Sequence, residues 1–276
     1  MSIVRALEIA LFVGFGLALN AGAAYAAFRN RSVSGSGAIA GAVVGAAIYL
    51  GGGFSYWLML MLFFVSSSAA GRIGRRRRPS LEQIHERGNR RDAVQVVANG
   101  GVPAIAAVLL GVTGHAVFAL AAAGALAAAT ADTWASELGV LSRRRPRSIV
   151  TLRALEPGTS GGVSLLGTGA AAAGSLLIAT CFALIEPRIA TIPAIAAVWA
   201  AGLAGMTLDS VLGATVQAQY RDGRGTLTER RTGDDGPNEL VRGSALITND
   251  VVNCLSVLCA AVIAALAGAA WAVSGL

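Results

Sequence analysis

Long apolar runs recur along this chain. Eight of them, at residues 6–27, 35–50, 54–70, 93–111, 116–139, 161–185, 190–215 and 245–270, are long enough, or nearly so, for a bilayer core that about 20 helical residues cross. A backbone in lipid has to satisfy its own hydrogen bonds, and runs of this length do so as helices. The expected fold is therefore all-α: one polytopic membrane bundle of about eight transmembrane helices that takes in residues 1–276. The second and third runs are short and meet at Gly51-Gly52-Gly53, so they form either two spans or a tight, partly re-entrant hairpin. Charged residues make up only 13% of the chain, about half of what a soluble domain carries. That leaves too little ionic surface for a water-soluble enzyme.

All 22 basic residues are arginine, which excludes P-loop and Schiff-base lysine chemistry. All but Arg5 and Arg188 fall in four segments: Arg29 and Arg31, eight between Arg72 and Arg91, five between Arg143 and Arg153, and five between Arg221 and Arg242. Alternating the loops across eight spans puts all four segments on one side. By the positive-inside rule that side is cytoplasmic and both termini face outward, as expected of a multi-pass protein of the cell's inner (plasma) membrane. The first run has some features of a signal peptide, with Arg5 ahead and small residues at Ala24 and Ala26. Arg29 and Arg31 behind it instead favour retention as a membrane helix. Charge parcelled into short loops suits phosphates and a membrane surface, not nucleic acid.

An ionisable side chain inside an apolar helix is costly and by default a sign of function. Asp132 and Glu137 lie near the cytoplasmic end of the fifth run, Asp209 and Ser210 near that of the seventh, and Asn249, Asp250 and Asn253 open the eighth from the same side. All fall at one depth. Oxygen ligands gathered in this way suit a hard divalent ion such as Mg²⁺, shared with substrate phosphates. Carboxylates within the membrane serve equally well as ion relays in transporters. Between the fifth and sixth runs, Gly158-Thr159-Ser160-Gly161-Gly162-Val163-Ser164 leads into a helix, whose first N–H groups and dipole suit a phosphate. Arg87, Arg90 and Arg91, just ahead of a run that carries Asn99-Gly100-Gly101, add guanidinium forks of the kind that bind phosphate in pairs of hydrogen bonds. Cys181, Cys254 and Cys259 lie in apolar runs with no CxxC spacing and are read as packing thiols.

Five blocks in order carry a resemblance: Gln95-Val96-Val97-Ala98-Asn99-Gly100-Gly101, Ala131-Asp132-Thr133-Trp134-Ala135-Ser136-Glu137-Leu138-Gly139, the Gly158–Ser164 block, Asp209-Ser210-Val211-Leu212-Gly213-Ala214-Thr215, and Asn249-Asp250-Val251-Val252-Asn253. Together they resemble the integral-membrane family of the phytyl-phosphate kinases, which includes the animal transmembrane protein 19 and was long called domain of unknown function 92. The likeness runs from about Ser34 to Asn253. One departure is Ser160, where the family pattern has Asn; it keeps a hydrogen-bonding group.

The resemblance implies a kinase that converts an isoprenyl (phytyl or polyprenyl) monophosphate to the diphosphate, with Mg²⁺ and with CTP or another nucleoside triphosphate as donor. Asp132, Glu137, Asp209 and Asp250 would be the catalytic and metal-holding carboxylates. Arg87, Arg90, Arg91, Asn99, Arg153, Gly158, Thr159, Ser160, Gly161, Gly162, Ser164, Ser210, Asn249 and Asn253 would bind substrate and phosphate. A monoester is largely a dianion at neutral pH and attacks without a general base, so the lack of any histidine but His85 and His115 is no obstacle. A CTP-dependent lipid cytidylyltransferase, a lipid-alcohol kinase and a cation-coupled transporter are the alternatives.

Overall fold

The computed structural model describes residues 3–77, 90–223, 225–233 and 236–274. Seven helices are long and apolar enough to cross a membrane: α1 (Ile3–Arg29), α2 (Gly35–Arg77), α3 (Ala93–Thr113), α4 (Ala116–Gly139), α5 (Leu165–Ile185), α6 (Ile192–Thr215) and α7 (Asn249–Ser274). The second and third apolar runs are the two limbs of α2. They break at Gly53, whose φ of 76° and ψ of −174° lie outside the helical region, in a conformation that glycine adopts at little cost. Arg72 Nη2, near the far end of α2, donates to Ser32 Oγ at 3.2 Å, just ahead of its start. A straight helix would hold those residues roughly 60 Å apart, at 1.5 Å per residue. Residues 35–77 therefore form a helical hairpin with its apex at Gly53, and the even number of crossings expected from the arginine partition is kept. At the apex, Gly51 packs so closely on the Ala107 backbone of α3 that no Cβ would fit.

α4 is the axis of the bundle. It packs against α2, α3, α5, α6 and α7 and is buried without a break from Ala119 to Ala131. Its alanines allow backbones to approach closely, the usual basis of helix association in lipid. A Cβ at Gly205 of α6, for instance, would lie 2.6 Å from Ala128 Cβ. α1 packs mainly on α2 and is the most exposed of the seven helices. One polar contact fastens it deep in the apolar region: Trp57 Nε1 donates to Asn20 Oδ1 at 3.0 Å, and Asn20 Nδ2 donates to Gly16 O at 2.8 Å.

The described residues between α1 and α2, α4 and α5, and α6 and α7, with residues 90–92 ahead of α3, gather at one end of the bundle. They carry strands that the purely helical expectation left out. β1 (Arg147–Ser148) pairs with β2 (Gly162–Val163). β3 (Gln219–Arg221) lies between β4 (Leu227–Thr228) and β7 (Glu239–Arg242), and β5 (Thr232–Gly233) pairs with β6 (Gly236–Pro237). These pairings also move two helix starts. The run expected from 161 becomes helical only at Leu165, because Gly162–Val163 is taken up by β2 and Ser164 caps α5 by accepting from Gly167 N. The run expected from 245 begins its helix at Asn249.

Candidate active site

A cavity of about 540 Å³ opens among these converging segments, within the range of about 300–1,000 Å³ common for small-molecule sites. Asp132 and Glu137 reach it from α4, Asp209 and Ser210 from α6, and Asn249, Asp250 and Asn253 from the first turn and a half of α7. The five positions from Asn249 to Asn253 are spaced so that both asparagines share one helix face. Asp132, Asp209 and Glu229 line the same cavity, so three carboxylates contribute to it. Ser256 Oγ lies 3.5 Å from Asp209 Oδ2 while donating to Val252 O at 2.9 Å. Glu137 borders Gly74 of α2, whose missing side chain makes room for the Glu137 carbonyl.

Among the described residues, no three His, Cys, Asp or Glu side chains come together closely enough to hold one metal ion. The four carboxylates expected as a joint ligand set thus do not close into a cage. Asp132 on α4 and Asp209 on α6 line the one cavity and still suit Mg²⁺, which usually takes one or two carboxylates and fills its octahedron with water and substrate phosphate. Two like charges in one cavity also gain from a shared cation.

The whole Gly158–Ser164 block lines the cavity: a turn, then β2 at Gly162–Val163, then Ser164 as the N-cap of α5, so the block does lead into a helix, with the turn and strand placed ahead of its first N–H groups. Gly162 N donates to Thr159 O at 3.1 Å. Gly158 and Gly161 have φ of 88° and 80°, and Gly161 abuts Ala214 of α6 too tightly for any side chain. Ser160 Oγ donates to Glu229, and Gln217 Nε2 bonds both, to Ser160 Oγ at 3.2 Å and to Glu229 Oε1 at 2.9 Å. Arg242 Nη2 donates to Gly213 O at 2.7 Å, tying β7 to the end of α6; burial pulls its guanidinium below the usual pKa.

The expected arginines separate. Arg91 lines the cavity, as does Asn99, with the Arg91 backbone bridged to Val33. Arg90 is exposed at the preceding bend and is not among the lining residues. Arg153 does not line the cavity either; it is exposed just after a turn, and its carbonyl accepts from Ser148 N. Arg87 lies outside the described residues. In their place the cavity is lined by arginines that the sequence reading passed over, Arg31, Arg72 and Arg144, with Ser67, Gln217 and Glu229.

The family model described as integral membrane protein DUF92 matches residues 18–261, which include every described residue of the cavity. Protein PGR of Arabidopsis thaliana is 31% identical over 270 residues, covering 88% of this chain and 92% of its own length. An uncharacterized membrane protein of Methanocaldococcus jannaschii is 31% identical over 186 residues, covering 67% of this chain and 75% of its own. No solved structure matches.

Proposed function

The chain belongs to the integral membrane protein family DUF92, and from that premise we propose that it is a membrane phosphotransferase that converts an isoprenyl monophosphate to the diphosphate. The observation that carries this reading is a single cavity, at the arginine-rich end of an apolar bundle, where carboxylates on α4, α6 and α7 meet arginines from the α1–α3 side. Inward of it, α4 is buried without a break from Ala119 to Ala131, with Thr130 the one polar residue of that stretch. That suits a site entered from one side better than a transport path.

In the proposed reaction an oxygen of the lipid's phosphate forms a bond to the γ-phosphorus of a nucleoside triphosphate. The bond from that phosphorus to the bridging oxygen breaks, and its electron pair leaves with the nucleoside diphosphate. No proton has to be removed from the attacking dianion, so the site needs positioning and charge compensation more than a base. Mg²⁺ held by Asp132 and Asp209 would neutralise charge on the donor phosphates. Glu229, Gln217 and Ser160 form a hydrogen-bonded wall that fixes the Gly158–Gly162 turn beside them. Arginines hold the second anion, and the isoprenyl chain lies along apolar helix faces. The arginine-rich end is assigned to the cytoplasm, where nucleotide is available.

The test is transfer of label from the γ-phosphate to lipid by purified protein with Mg²⁺, followed by thin-layer chromatography. Labelled isoprenyl diphosphate, with free alcohol left unlabelled, is the expected product. Label on the alcohol would identify a lipid-alcohol kinase, and nucleotide retained in the lipid a cytidylyltransferase. No transfer with any acceptor or donor would shift the reading to a transporter.

A further inference from the structure

The cavity has two walls of different chemistry. The carboxylates come from α4, α6, α7 and the loop after β4, with Arg144 beyond the end of α4 on their side, while Arg31, Arg72 and Arg91 come from the segments that begin or end α1, α2 and α3. Arg72 Nη2 donates to Ser32 Oγ, and the Arg91 guanidinium carbon stands 5.8 Å from the ring centroids of both Phe63 and Phe64. Each of these two heads is thereby held by α2 or its approach.

Between those phenylalanines and Arg72 sits Ser67, fully buried and lining the cavity. Hydroxyls in helices usually donate back to the carbonyl three or four residues earlier. Ser66 does so to Phe63 O, Thr130 to Leu126 O and Thr133 to Ala129 O. Among the described residues, Ser67 Oγ has no hydrogen-bond partner. One turn on, Gly71 also lines the cavity and has no side chain to cover it. A buried hydroxyl without a partner is costly to keep, and the group that most readily satisfies it here is an anion already drawn in by the guanidinium forks.

We propose that Arg31, Arg72 and Arg91, with Ser67 Oγ, form an anion subsite for the phosphate monoester of the lipid acceptor, apart from the donor's place at Asp132 and Asp209. The division follows from charge. A nucleoside triphosphate arrives with a divalent cation and is compatible with carboxylates, whereas a monoester dianion carries no metal and requires fixed cations. Access agrees: the subsite lies at the ends of α1 and α2, and α1 is the helix least covered by protein. The choice of acceptor rests on the phosphotransferase reading; the subsite's affinity for a monoester can be measured without it.

The experiment uses Arg72→Gln, Arg72→Lys and Ser67→Ala in the full chain, purified and checked for unchanged thermal unfolding. In the transfer assay, Arg72→Gln should raise KM for the isoprenyl monophosphate by about tenfold or more and Ser67→Ala severalfold, as expected on losing charge-assisted hydrogen bonds. KM for the nucleotide should stay within about twofold. Arg72→Lys should fall between, since it keeps the charge and loses the fork. In parallel, equilibrium binding of dodecyl phosphate is measured without nucleotide. Wild type should bind it, and both Arg72→Gln and Ser67→Ala should weaken that binding. Unchanged KM and unchanged dodecyl phosphate binding in the variants would overturn the subsite, and a rise in nucleotide KM alone would overturn its assignment to the acceptor. Dodecyl phosphate binding that the variants weaken, with no turnover by wild type, would sink the phosphotransferase reading and leave the subsite standing.

Discussion

Asp132 and Asp209 line one cavity, and in the proposed reaction their role is chemical, since two neighbouring carboxylates do not help helices pack. Asp132→Asn and Asp209→Asn should each lower turnover at least about 100-fold, the scale of several kcal/mol that a metal-held charge supplies in a transition state. Both proteins should keep the wild-type gel-filtration profile. Near-normal rates in both at saturating Mg²⁺ would remove the pair from the mechanism. These residues are legible in the sequence because a carboxylate within an apolar run cannot be surface decoration. Gln217 and Glu229 are not legible in that way. They lie in a polar loop where glutamine and glutamate carry no signal of depth, and they acquire meaning only when the chain brings Ser160 beside Glu229, 69 residues away in sequence. Ser67 is hidden differently: it is one of three consecutive serines, and nothing local says that Ser66 back-bonds while Ser67 does not.

At the scale of the element, apolar length fixes the helices well because lipid leaves the backbone no other partner. α4 spans Ala116–Gly139, the same residues as the run read from sequence. Gly51-Gly52-Gly53 marks the turn of α2 for a local reason, since a backbone at φ 76° is strained for any residue with a Cβ. Less legible are the starts of α5 and α7, where strand pairing and capping between distant loops override hydropathy. α1 poses a separate question, because a helix so exposed has little apolar incentive to stay with its bundle once both states lie in lipid. The Asn20–Trp57 hydrogen bond deep in the apolar region supplies a specific one, and Gly45 makes room for it by having no Cβ to strike Asn20 Oδ1. A double-mutant cycle of Asn20→Ala and Trp57→Phe, read by reversible unfolding in detergent, should give a coupling of about 1 kcal/mol, the range of hydrogen bonds between membrane helices. Strictly additive losses would show that α1 is held by packing alone.

For the whole molecule, charge and fold make the same statement by independent routes. The arginine partition asks for an even number of crossings. The break at Gly53, with the ends of α2 brought together as the Arg72–Ser32 hydrogen bond shows, delivers that number, so the segments around Arg31, Arg72, Arg91, Arg144 and Gln217 meet around one cavity, while Gly53, Gly114 and Arg188 fall at the other end. A topology that exposed the arginine-rich end outside the cell would set most of the positive charge against the orientation rule and put the cavity where no nucleotide reaches it. Cysteines placed singly at 145, 114 and 188, in a chain whose Cys181, Cys254 and Cys259 are replaced by alanine or serine, decide between the two. In intact cells a membrane-impermeant maleimide should label 114 and 188 and leave 145 unlabelled until the membrane is permeabilised. Labelling of 145 from outside would invert the molecule. It would also remove the physical basis for a nucleotide donor, because both substrates of the proposed transfer have to meet at a single opening.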